Sequence, residues 1–398
     1  MHFSRFGKRF NDSALLDEAA WGAKWHNKIA TPKGVYYQFL RLAPNGSIII
    51  DLCPPESESD NIPGNADDRV IIGPGHDIMV PWALAEHALV SKDPAFREKC
   101  FKTSKMLYDD FLSSKKTSDK NFYMFNSSML VKTDLAYYKL TGDKKYLEHA
   151  LPFVDATVNM VIERIKQNRW SGIFEAHFYP WSWGIMPLEF ATDYPQEAVS
   201  QKIKKEYKVL VDSIVKHLQA SPHGFVEHSN WNYHFHNGYG STGHSTITNL
   251  SIATLMARAA VLYNEPEMLA LAERCFHYIT GINELAASQI SGFGSKTVTC
   301  WVASNAVPGY ANGQPIKGAV LKGVTRWSGT ARILPSYLSG GKSDYAIDHP
   351  AGYPAMMIAG DFPMAGGPGS QELWESLNGS TLRAIEAILD AREFFNKK

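Results

Sequence analysis

The chain has 398 residues with 40 basic and 40 acidic side chains, so no net field draws it toward nucleic acid or an anionic membrane. Its four cysteines, Cys53, Cys100, Cys275 and Cys300, lack C-x-x-C spacing, which indicates neither a zinc centre nor a dense disulfide framework. No apolar run reaches the roughly 18 residues of a bilayer span, and the opening MHFSRFGKRF has basic residues without the apolar core of a secretory signal. The compartment stays open: cytoplasmic as the chain reads, extracellular or periplasmic if a leader lies upstream.

Taken in order, hydrophobic periodicity predicts helices over Ser13–Lys28, Val80–Val90, Pro94–Ser113, Phe125–Leu140, Lys144–Gln167, Glu197–Ala220, Thr246–Tyr263, Glu265–Ile282, Pro354–Ala359 and Ser370–Phe395. Few segments alternate as strands do. Two pairs carry helix-end chemistry between them, Thr141-Gly-Asp in one and Asn264-Glu-Pro in the other. The pairs are about 40 residues long without a shared motif, which fits a closed ring of antiparallel hairpins better than a short-period solenoid. The expected class is all-α, a six-hairpin (α/α)6 toroid with long aromatic loops, spanning residues 1–398 as one domain.

The loops are Asp51–Met79, Arg169–Met186, Ser221–Ser245 and Ser291–Pro350, longer than mere links require. Aromatic residues make up 12% of the chain, with ten Trp and 18 Tyr, and many fall in these loops beside His, Asn and Gly. A sugar ring offers an apolar face to a flat side chain and a rim of hydroxyls to polar ones, so a carbohydrate is the expected partner. In GIFEAHFYPWSWGIM, an extended backbone puts Glu175, His177, Tyr179, Trp181 and Trp183 on one side, a stacking wall with a carboxylate at its end. The same alternation also serves a strand-like loop that buries its odd side.

Between His228 and His244 lie four His together with Trp231, Tyr233 and His234. A His-x-His pair without a further ligand at metal spacing points to hydrogen bonding with sugar hydroxyls, so no metal is expected. Asn65–Met79 contributes Asp67, Asp68, His76 and Asp77, the last two in a G-P-G-H-D turn before a helix. There Asp77 has two roles open to it: orienting His76 as a general base, or capping the helix. Arg326 and Trp327 form a candidate substrate pair, and Trp301 another stacking surface. Asp344 and Asp348, four residues apart in SDYAIDHP, would raise one another's pKa on a helical turn, or cap one. No Walker loop, G-x-G-x-x-G or G-x-S-x-G is present, and no cofactor is expected.

The order of segments resembles glycoside hydrolase family 9, the cellulase family built on the (α/α)6 barrel. SALLDEAAWGAKWHNKIATPKGVYYQFL, Ser13–Leu40, is similar to its LLDE-x-x-W-x-x-x-W helix, turn and Tyr strand. LALAERCFHYITGINELAASQISGFG, Leu269–Gly294, resembles its helix ending in a Y-I-L-G-N…G-F-G turn, and KGAV and SDYAIDHPA resemble two later blocks. The resemblance implies inverting hydrolysis of a β-linked glucan, with Asp344 at the acid's position, one methylene shorter than the family's Glu. It also implies a D-A-G-D segment ahead of the LLDE helix, whose Asp activates water; the twelve residues before Ser13 do not contain it. The family's His-His-Arg after G-F-G is here SKTVTCWVAS.

Inversion requires an acid and a base about 6.5–9.5 Å apart with a water between them. Either the chain is an incomplete copy lacking the base, or Asp67, Asp68 or Asp77 replaces it, with Glu175 a further carboxylate in reserve. Two other readings stand beside hydrolysis. A polysaccharide lyase or uronate epimerase on the same toroid would use His177, Tyr179, His234 and Arg326, and a non-catalytic remnant would only bind sugar.

Overall fold

The computed structural model describes residues 2–42, 48–49, 70–114, 120–167, 184–221, 245–283, 288–290, 292–295, 318, 320 and 375–397. The chain divides into two compact units, Met1–Thr157 with Ala306–Pro308, and Val158–Asn305 with Gly309–Lys398.

The first unit opens with α1 (His2–Phe10) and α2 (Ser13–Ile29), which pack on one another. Asn11 turns the chain at φ 51°, and the Asp12 carboxylate accepts the Leu15 N–H at 3.1 Å, starting α2. The sequence does not predict α1, because nine residues are too few for periodicity to stand out.

A small sheet follows: β1 (Ala30–Thr31), β2 (Gly34–Leu42), β3 (Ile48–Ile49) and β4 (Val70–Gly75). β2 pairs antiparallel with each of the other three. Val35 lies opposite Gly75 and Leu40 opposite Val70, with two register irregularities between. β4 falls inside Asp51–Met79, which the sequence assigns to a loop; its partner, about 35 residues back, is what makes it a strand.

Then come α3 (Met79–Ala88), α4 (Pro94–Ser113), α5 (Lys120–Thr141) and α6 (Lys144–Lys166). α4 begins where helix-end chemistry dictates: Asp93 accepts the N–H groups of Ala95 and Phe96, with Pro94 in the first turn. α5 ends at Gly142 (φ 72°), whose N–H reaches the Tyr138 carbonyl at 2.8 Å.

The second unit holds α7 (Ile185–Asp193), α8 (Ala198–Glu206), α9 (Lys208–Ala220), α10 (Ser245–Tyr263), α11 (Pro266–Thr280) and α12 (Glu375–Asn396). The single helix expected over 197–220 is interrupted at Tyr207. The backbone there stays helical and keeps its bonds to the Ile203 carbonyl and from the Val211 N–H. The expected helix 354–359 lies outside the described residues.

Burial separates these helices into two kinds. α3 buries Val80, Trp82, Leu84, Ala85, Glu86, His87 and Ala88, side chains pointing in every direction around its axis. α7 and α10 do the same, α10 through Leu250, Ile252, Ala253, Leu255, Met256, Ala257, Ala259 and Ala260. A helix buried all round is an inner helix. α4, α9 and α11 bury one stripe each, in α9 the run Leu210, Val211, Ile214 and Leu218. Among these six helices, inner and outer ones alternate in chain order, the sequence of layers that stacked hairpins require. Each wholly buried Leu, such as Leu84, contributes about 1.5–3 kcal/mol through burial.

Ion pairs fasten the inner helices. Arg383 of α12 grips Glu189 of α7 with two parallel bonds of 3.0 and 2.9 Å, and Arg258 of α10 meets Asp390 of α12 at 2.9 Å. In the first unit, Arg5 of α1 makes a two-pronged contact with Glu86 of α3, which also accepts the Trp82 indole N–H at 3.1 Å.

Candidate functional site

The corner between β4 and α3 holds two of the candidate residues. Pairing with β2 carries β4 to Gly75, and the next two residues, His76 and Asp77, lead into α3. The Asp77 carboxylate Oδ1 accepts the N–H of Met79 at 2.6 Å and of Val80 at 2.9 Å. That is the capping role, which satisfies two of the first-turn donors that a helix leaves without partners.

The carboxylate on His76 is a different one. His76 Nδ1 lies 2.7 Å from Asp110 Oδ2 of α4, with the imidazole about one-third exposed and the acid 15% exposed. Orientation of His76 by Asp77, which the sequence offers as one reading, is thus corrected to orientation by Asp110. A carboxylate on one ring nitrogen fixes the imidazole plane and leaves Nε2 for a second partner. Gly34 closes the arrangement. Its φ of 114° is left-handed, and a Cβ there would stand 2.5 Å from the Gly75 carbonyl and 3.4 Å from Asp110 Oδ2.

Asp110 escapes sequence reasoning because its partner is 34 residues away. One signal was available. Asp109 and Asp110 sit near the carboxyl end of α4, where the helix dipole disfavours negative charge. No basic residue occupies its last turn. Carboxylates kept in such a place need a donor, and each has one, Lys105 one turn back on α4 for Asp109 and the distant His76 for Asp110.

A second imidazole–carboxylate pair lies across the α5–α6 hairpin. His149 Nδ1 is 2.8 Å from Asp134 Oδ2, and the Tyr108 hydroxyl is 3.4 Å from the same nitrogen. Asp134 is wholly buried and His149 is 42% exposed. The hydrogen bond to Asp134 raises the imidazole above its ordinary value, and burial pushes the Asp134 carboxyl up, so the pair holds a proton to higher pH. Tyr137 packs beside it, edge-on to Tyr108 and Tyr146, within hydrogen-bond reach of Ser104 Oγ at 2.7 Å. These contacts bind α4, α5 and α6 into one aromatic layer.

Asp67, Asp68, Glu175, His177, Tyr179, Trp181, Trp183, Trp231, Tyr233, His234, Trp301, Arg326, Trp327, Asp344 and Asp348 lie outside the described residues. Among the described residues, no group of three His, Cys, Asp or Glu is placed to hold a metal ion, and no helix is long and apolar enough to cross a membrane.

Residues 1–349 match glycosyl hydrolase family 9, and the chain belongs to that family. Solved structures agree on the fold. A single-mutant thermostable endoglucanase from Alicyclobacillus acidocaldarius is 17% identical with a TM-score of 0.58, the likeness covering 92% of this chain and 64% of that one. The family 9 endoglucanase J30 gives a TM-score of 0.64 at 14% identity, covering 97% and 66%. The cellulase Cel9M of C. cellulolyticum, in complex with cellobiose, gives 0.57 at 14% identity, covering 98% and 81%. The fold class is therefore the all-α (α/α)6 arrangement of helical hairpins. The chain spans 64% of the length of the Alicyclobacillus enzyme. No curated protein sequence matches significantly.

Proposed function

We propose that this chain, as one glycosidase domain, acts on a β-linked glucan and cleaves it by inverting hydrolysis. The observation that carries the reading is the extent of the family match, which runs from residue 1 to 349 and so takes in the β4–α3 corner, Asp344 and Asp348. Related endoglucanases and a cellulase complexed with cellobiose support the substrate class. Asp344 is the acid that protonates the departing glycosidic oxygen. Its shorter side chain demands closer approach of the sugar than a Glu would.

The base comes from Asp67, Asp68 or Asp77. Capping commits Asp77 Oδ1 to two backbone amides, so Asp67 and Asp68 stand ahead of it. His76, held by Asp110, supplies a hydrogen bond to a sugar hydroxyl. Trp181, Trp183, Trp231, Tyr233, Trp301 and Trp327 provide stacking faces, with His177, Tyr179, His234 and Arg326 as polar contacts and Glu175 at the edge of the wall.

The test is incubation with β-linked gluco-oligosaccharides and, in parallel, with uronate-containing oligosaccharides, following reducing ends, ultraviolet absorbance and the anomeric protons of the first product. New reducing ends of α configuration that vanish in Asp344→Asn, with binding retained, support the reading. Undiminished turnover in Asp344→Asn refutes the assignment of the acid. Absorbance of an unsaturated uronate product refutes hydrolysis in favour of elimination, and binding without turnover leaves a sugar-binding protein.

A further inference from the structure

The exposed apolar side chains of the first unit gather at its beginning. Of the eight large hydrophobics that the described surface exposes, five are Phe3, Phe10, Trp21, Trp25 and Met79, on α1, α2 and the first residue of α3. Trp21 is 66% exposed and Trp25 36%. On α2 the buried Ala19 and Ala23 mark the inner side. Counting 100° per residue from Ala19 puts Lys24, Asp17, Lys28, Trp21, Trp25 and Glu18 on the opposite side, within about a third of the circumference.

The charges on this face are ordered. Asp17 and Glu18 precede the tryptophans, Lys24 and Lys28 accompany and follow them, and all four are exposed. None forms an ion pair among the described residues. A face whose first half is acidic and second half basic is complementary to itself when turned end for end. A two-fold axis through Trp21 sets Asp17 of one copy beside Lys24 of the other on the same flank of the face and within a turn of its Lys28. It also stacks Trp21 on Trp21. Gly22 borders the face, and a Cβ there would meet nothing within 4 Å, so that edge of α2 is open.

We propose that α2 is the centre of an isologous interface between two copies of this chain, paired antiparallel about Trp21. An isologous contact uses one patch twice, as this charge order demands. Stable interfaces bury at least about 1,000 Å² in total. Full burial of a Trp removes about 150–250 Å², so the exposed parts of the four rings supply up to about half of that. Phe3, Phe10 and the Lys and Glu stems have to supply the rest.

The experiment is sedimentation of the full chain over a concentration series, with two double charge reversals. Asp17→Lys with Glu18→Lys, and separately Lys24→Glu with Lys28→Glu, change only exposed side chains. The wild type is expected to dimerise, and each reversed variant to dissociate at least tenfold more readily. Mixing the two reversed variants is expected to restore a heterodimer. A wild type that stays monomeric, a dimer indifferent to both reversals, or reversed variants that fail to pair when mixed would each overturn the proposal. So would gluco-oligosaccharide protection of Trp21 from oxidation in a monomeric chain, which would make the face a sugar platform instead.

Discussion

Replacing Arg5 by Leu removes the guanidinium that is paired with Glu86, a side chain 6% exposed. Burial alone would push the Glu86 carboxyl up. The Arg5 charge and its hydrogen bonds, helped by the Trp82 indole and Lys132, outweigh that and hold it below its ordinary value. Removing one partner of a buried pair costs about 3–5 kcal/mol; because Arg5 is one-third exposed, the lower end, about 3 kcal/mol, applies. The double variant Arg5→Leu with Glu86→Leu has no stranded charge. It leaves the Trp82 N–H without this acceptor, at about 1–2 kcal/mol. Urea unfolding at pH 7 should therefore show the double variant more stable than the single one. The sign with pH is fixed by a lowered carboxyl: its stabilisation is complete above the ordinary glutamate value near 4.5 and disappears as pH falls through the folded value. The Arg5→Leu penalty should shrink along that descent. A double variant that loses the sum of the two single losses, or a penalty indifferent to pH, would refute the account.

Three further outcomes can be measured. His149 gains a proton partner in the fold, so its contribution to stability is complete below about 6.5 and fades as pH rises through the raised folded value; Asp134→Asn should lower the His149 midpoint in an NMR titration, and an unchanged midpoint would contradict the pairing. Asp77→Ala should destabilise the chain by about 0.5–2 kcal/mol and Asp77→Ser by much less, as thermal unfolding would show; equal losses would mean that capping is not what Asp77 contributes. Leu84→Ala, at a wholly buried inner position, should cost about 2–5 kcal/mol in denaturant unfolding, and a loss under 1 kcal/mol would place α3 outside the core.

The helices were legible wherever local chemistry and periodicity agreed. Asp93-Pro94 fixes the start of α4 to the residue, and Thr141-Gly142-Asp143 fixes the joint between α5 and α6. Family resemblance was legible too, in the LLDE helix and the G-F-G turn, although the match at the level of solved structures rests on identities of 14–17%. Elements defined by distant partners were not. β4 reads as a loop until β2 is beside it, and α7 hides behind Pro187 and the aromatic run before it. Among the site residues the same rule holds. Asp77 was correctly offered a cap by the helix that follows it, whereas Asp110 reaches His76 only because α4 folds back against the β1–β2 turn.

Gly34 gives this dependence a practical edge. Its lack of a side chain lets the Gly75 carbonyl settle where a methyl group would otherwise be, and His76 is the next residue along. A substituted residue 34 must push the end of β4 outward, taking the imidazole away from Asp110, whose carboxylate the new Cβ would meet only at ordinary contact distance, 3.4 Å. A saturation scan scored by function would accordingly mark residue 34 among the chemically active positions, although what it contributes is room. Ranking sites in this chain by mutational intolerance alone would misassign it, and comparing each intolerant position with its φ is the simple guard.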